Sequence, residues 1–173
     1  MVALYGTIWL SMLLFAVGES GRSFTRRGAS FPQWAWWAFT AGLGLTVIHI
    51  IIAFAEVHRW SHADAVRSTA IQTAAVYGVP VGAGVYVNYL FVAAWLADAW
   101  WWRASPRGYV RPPAAVWALR AFYLLIIVNA AVVFADGLRR LAGLVLVSWL
   151  VRIWMPGAAQ TSPHALQSDS TAK

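Results

Sequence analysis

Three of the four histidines in this chain, and two of its six acids, fall within IHIIIAFAEVHRWSHADA, residues 48–65. The side chains there that could do chemistry are His49, Glu56, His58 and His62. Imidazole and carboxylate ligands without thiolates suit zinc, copper or non-haem iron. His58 and His62 stand four apart, so both rings share one face if a helix continues through them, the spacing of the metal-binding pair in HExxH helices. The residues between them are Arg-Trp-Ser, without the Glu of that motif, which disfavours a zinc protease. His49 lies nine residues before His58, about half a turn away around a straight helix. All three rings therefore converge only if the chain bends near Arg59 to Ser61. His49 alone could act as a haem axial ligand. No second apolar segment carries a His, so a haem held by histidines from two helices is not expected. His49 and Glu56 also form a titratable pair on one seam, which suits a proton or substrate pathway. The reading without chemistry is helix packing, with His49 bonded to Asn88 or Asn129 and His58 and His62 solvated at a water interface.

These residues end an apolar segment, and the rest of the chain is apolar too. Of 173 residues, 61% are hydrophobic and 11% charged, against about 25% charged in soluble domains. Such a chain suits lipid as its solvent. Cys is absent, which excludes disulfides, thiolate metal sites and Cys nucleophiles. The net charge of +7 comes from twelve Arg and one Lys. The arginines flank apolar segments, as membrane topology requires, so nucleic acid is not the expected partner. The bias to Arg and Ala points to a GC-rich bacterial genome.

Five apolar spans are expected, at about 2–18, 34–55, 84–102, 114–135 and 141–155; crossing the hydrocarbon takes about 20 residues. The fold expected is an all-α membrane bundle over 1–156, followed by a disordered cytoplasmic tail over 157–173. The first span lacks the basic residues of a signal peptide and reads as a membrane helix. The fifth is short and could tilt or lie partly in the interface. ADAVRSTAIQTAAVYG, between spans 2 and 3, reads as a short interfacial helix broken by GVPVGAG, which lacks the Lys and Ser/Thr of a phosphate loop. Arg22, Arg26 and Arg27 in the first loop, and Arg103, Arg107 and Arg111 in the third, place those loops inside. The N-terminus is then outside and the C-terminus in the cytoplasm. Trp34, Trp36, Trp37, Trp100, Trp101, Trp102, Trp117 and Trp154 all fall at that same inner boundary, where indoles partition.

Polar residues inside the spans form a layer. His49 lies 16 residues past Gln33, Asn88 15 before Arg103, and Asn129 16 past Pro113. At about 1.5 Å per residue, three helices carry a polar side chain roughly 24 Å from the inner side. The seam Gly42, Thr46, His49, Ala53, Glu56 turns His49 into the bundle. Deeper, Asp98 and Arg120 sit at similar depth on consecutive spans and are expected to form a structural ion pair. Asn129 and Asp136, seven apart, share a face leading outward.

The function this pattern favours is an accessory or structural subunit of a larger membrane complex, with a membrane protein or a second copy as partner. Two alternatives stay open. One is a membrane metal- or haem-binding protein, a possible oxidoreductase, using the His/Glu cluster near the outer face. The other is a small transporter or proton pathway along the polar layer.

Overall fold

Uninterrupted apolar runs with few β-branched clusters and no internal proline fold as helices, and all regular structure among the described residues is helical. The computed structural model describes residues 2–24, 32–105 and 112–155. Helix α1 spans Val2–Phe24, α2 Gln33–Ile52, α3 His62–Tyr77, α4 Gly84–Ala104, α5 Pro113–Val128 and α6 Gly137–Trp154. Two five-residue π segments, Ala53–Val57 and Asn129–Val133, continue α2 and α5. Pro113 stands in the first turn of α5, where its missing N–H is not needed. The Ser61 hydroxyl caps α3 by accepting from the Asp64 N–H at 3.2 Å. Gly78, at φ 75°, ends α3 in the left-handed conformation.

Helices α1, α2, α4, α5 and α6 alternate in direction. Leu4, near the start of α1, meets His49 near the end of α2. Gly18, near the end of α1, leaves space that Phe39 Cβ approaches to 2.7 Å of where a side chain would begin. The Trp-bearing ends of α2, α4, α5 and α6 therefore gather at one end of the bundle, and the histidines at the other. The core is aromatic: Phe15 lies edge-on to Trp95 and Tyr123, with centroids 5.0 and 5.2 Å apart. Such pairs contribute about 0.5–1.5 kcal/mol each beyond area burial.

Three helical stretches are long and apolar enough to cross a membrane: Val2–Ser23, Gln33–Val57 and Pro113–Val133. The expected third and fifth spans are helices as well, but they do not reach that standard of hydropathy and charge. Asn88, Asp98 and a run of tryptophans lower α4, and Arg139, Arg140 and Arg152 lower α6. The first expected span ends too early: α1 runs on to Phe24 and takes Glu19 and Arg22 out of the loop. The expected tail and the loop residues Arg26, Arg27, Arg107 and Arg111 lie outside the described residues.

Candidate functional site

The opening stretch does bend. Its π segment closes with His58 N–H donating to the Ala53 carbonyl at 3.1 Å, and Trp60 N–H donating to Phe54 at 2.8 Å. Arg59 and Trp60 then adopt φ of 48° and 61°. A left-handed conformation costs a non-glycine residue about 1–2 kcal/mol, so this corner is held by its surroundings. His58 and His62 consequently leave a common helix face. Both rings lie against Phe54, with centroids 5.7 and 6.5 Å away.

His49 takes another partner. Its Nδ1 lies 2.9 Å from the Leu4 carbonyl oxygen, with Thr7 Oγ1 at 3.5 Å. A carbonyl only accepts, so Nδ1 carries the proton and donates to it. In the neutral ring Nε2 is then an acceptor. One turn away, the Ser11 hydroxyl donates to the Gly42 carbonyl at 2.7 Å and meets Thr46 Oγ1 at 2.6 Å. The seam Gly42–Thr46–His49 thus packs on α1.

His62 lies outside the bundle core between two tyrosines, with Tyr86 Oη 3.3 Å from Nε2 and Tyr89 Oη 3.2 Å from Nδ1. Glu56 is exposed on the π segment. Among the described residues, no three His, Asp or Glu side chains come together as metal ligands. His49 and His58 border one cavity while His62 lies between the tyrosines, so the four residues offer no closed ligand set among the described residues.

What the fold does assemble is space. A cavity of about 220 Å³ is walled by His49, His58, Thr46, Thr69, Asn88 and Tyr89, with Phe54 and Phe91 among its apolar faces. A narrower chamber of about 30 Å³ lies against Ser11, Phe15 and Trp95 and shares Thr46, Phe91 and Ala130 with it. A second cavity of about 370 Å³ shares Asn88 with the first and is lined also by Gln72, Tyr77, Val87, Leu125, Asn129 and Phe134. His49 and Asn88 therefore border one space, and Asn88 and Asn129 the next. Asn129 is engaged, accepting from the Tyr77 hydroxyl at 2.6 Å and donating to the Leu125 carbonyl at 2.8 Å. Asn88 has no hydrogen bond among the described residues. Ala130, in the second π segment, borders all three spaces.

The other polar cluster sits at the Trp-rich end. Asp98 pairs with Arg22, at 3.1 Å, rather than with Arg120. Arg22 also pairs with Glu19, and its guanidinium lies over Phe39 and Trp102 at 5.3 and 5.1 Å. The Tyr123 hydroxyl donates to Asp98 at 3.0 Å, and the Trp154 indole N–H to Glu19 at 2.8 Å. Arg120 lies over Trp117 and Trp154, and its Nη1 is 3.5 Å from the Trp154 carbonyl oxygen. The extra turns of α1 explain the change of partner, because they bring Arg22 to the depth of Asp98. The signal was present in the sequence as Gly18-Glu19 and Gly21-Arg22: acid and base one turn apart, each preceded by a glycine that lets α2 approach.

No protein family model, curated protein or solved structure matches this chain.

Proposed function

We propose that this chain is a five-pass protein of the bacterial cytoplasmic membrane, with its N-terminus outside and C-terminus inside, that binds a small lipid-phase molecule at its histidine end. The observation that carries the reading is the pair of neighbouring cavities that share Asn88 as a lining residue. Asn88, in the second turn of α4, carries an exposed amide that is costly to leave without a partner against hydrocarbon, and a cavity with a few placed polar groups in apolar walls is how small-molecule sites are built. α4 packs on α2 and α5, two of the three helices long and apolar enough to span, and α6 packs on α1 and α5. Leu90 and Leu96 on α4, and Leu144 and Val145 on α6, are exposed like Leu10 and Ile51 on α1 and α2, which supports lipid around all five. The arginine-rich loops at the Trp-bearing end support the orientation. Native mass spectrometry of protein released from its own membrane tests the binding: a retained small molecule is expected, and Ala130→Phe should expel it. A bare wild-type chain, under conditions that keep annular lipid, would end this reading.

A second reading is an accessory subunit of a larger membrane assembly, and a different observation favours it. Glycine inside a helix costs about 0.5–1 kcal/mol relative to Ala. Gly18, Gly21 and Gly42 are explained by close neighbours, whereas a Cβ at Gly6 or Gly44 would meet nothing within 4 Å. Small residues on an outer face let another membrane helix approach closely. Gly44→Ile should then release a partner or second copy on a native gel without lowering the melting temperature of the isolated chain.

A further inference from the structure

We infer that the cavity takes a quinol-type lipid, a hydroxylated aromatic ring on an apolar chain, in its reduced form; this rests on the binding reading above and names its ligand.

The size comes first. A dry apolar cavity of about 150 Å³ holds benzene, so about 220 Å³ takes one substituted ring and little more. The walls favour a flat ring, since Phe54, Phe91 and Tyr89 border the space and aromatic faces prefer aromatic partners. The larger cavity that shares Asn88 is bordered by Val87, Leu125 and Phe134, a space suited to an apolar chain.

The hydrogen-bond inventory then selects the oxidation state. His49 has its Nδ1 proton committed to Leu4, which leaves Nε2 able only to accept. Its ligand must therefore donate, as a hydroxyl does and a quinone oxygen does not. Donors from the protein serve the opposite oxygen. The Asn88 amide is uncommitted among the described residues. No electron transfer is implied; the chemistry is recognition of an aromatic diol.

The test uses the full chain in lipid nanodiscs, titrated calorimetrically under anaerobic conditions with a decyl-substituted benzoquinol, its oxidised benzoquinone and 1-decanol, with empty nanodiscs subtracted. The quinol should bind about tenfold more tightly than the quinone, the value of one hydrogen bond to a committed acceptor. His49→Phe should bring the quinol down to the affinity of the quinone. Asn88→Leu should weaken both forms by a similar factor. Equal affinity of the two oxidation states in the wild-type protein, a comparison that needs no variant to fold, overturns the assignment, and so does decanol binding as tightly as the quinol. If none of the three binds while another small molecule copurifies, the ligand class is wrong and the binding site stands. If nothing copurifies either, both readings fall.

Discussion

Arg22→Met should be among the most damaging single changes in this protein. Glu19 and Asp98 are 0% and 1% exposed, and Arg22 is the cation that bridges them. Methionine keeps a side chain of similar reach on Phe39 and Trp102 but removes the charge. Two carboxylates then lose the cation between them while keeping neutral donors such as Tyr123 and Trp154. Removing one partner of a buried pair costs about 3–5 kcal/mol, because the remaining charge stays desolvated or must take up a proton. Arg22→Lys keeps the charge but loses the planar fork that reaches two carboxylates at once. It should fall between, at about 1.5–3 kcal/mol, the worth of one charge-assisted bond. The informative variant is the triple change Glu19→Gln, Arg22→Met and Asp98→Asn. It removes every charge of the clasp while keeping its shape, so it should recover most of the loss. Reversible unfolding in mixed micelles by added sodium dodecyl sulfate, followed by tryptophan fluorescence, measures all three. The reasoning fails if Arg22→Met lies within about 0.5 kcal/mol of wild type, a surface-like value. It also fails if the triple variant is less stable than Arg22→Met alone, since that would make the shape, rather than the charge, the thing Arg22 supplies.

Three further outcomes are expected. Gly143→Val should cost about 1–3 kcal/mol, because any Cβ there enters the Ala131 carbonyl; a melting temperature unchanged from wild type would show α6 free to shift. The chain has no Cys, so single cysteines report topology cleanly: Ser61→Cys should react with an impermeant maleimide on intact cells and Ser105→Cys only after lysis, and equal labelling would mean that α4 does not cross. Arg139, which hydrogen-bonds Asp136, holds its carboxyl below the usual range, so this tie is complete above about pH 3.9 and is lost as pH falls through the lowered value. The difference in melting temperature between wild type and Asp136→Asn should therefore be constant from about pH 6 to 4 and vanish below, and a difference that grows on acidification refutes the pairing.

Depth counting put His49, Asn88 and Asn129 at one level, and the cavities border them only in pairs, His49 with Asn88 and Asn88 with Asn129; the helices themselves were legible in the apolar runs. Two things were not. The first was the end of α1. Glu19 and Arg22 look like loop charges when counted for topology, and only contact with Asp98, 76 positions further along the chain, explains why they are inside. The second was the π geometry of Ala53–Val57. Nothing in AFAEV marks an inserted residue, yet one extra residue turns all that follows by about 100°. A ligand set built on i, i+4 spacing, His58 with His62, depends on regular helix between them, and the left-handed turn at Arg59 and Trp60 that follows the π segment interrupts it.

The two ends of the bundle are built on opposite principles. At the Trp-rich end the clasp joins α1, α4, α5 and α6 through charge, with Phe39 of α2 beneath the guanidinium. At the histidine end both continued helices switch to π geometry, and the contacts become single hydrogen bonds such as Leu4 to His49 and Tyr77 to Asn129. Each π segment widens its helix and leaves space beside it, and Ala130, which borders all three spaces, belongs to one of them. A small residue at that point keeps bulk out of all three. Opening a bundle at one end costs packing there, and that loss is bearable when the other end is cross-linked by interactions that sum to several kcal/mol. Weakening the clasp should therefore reach the cavity indirectly: Arg22→Lys would lower ligand affinity at the far end by loosening the frame, without touching a lining residue. If instead binding is unchanged while stability falls, the two ends fold as one unit but act separately, and the cavity is rigid in its own right.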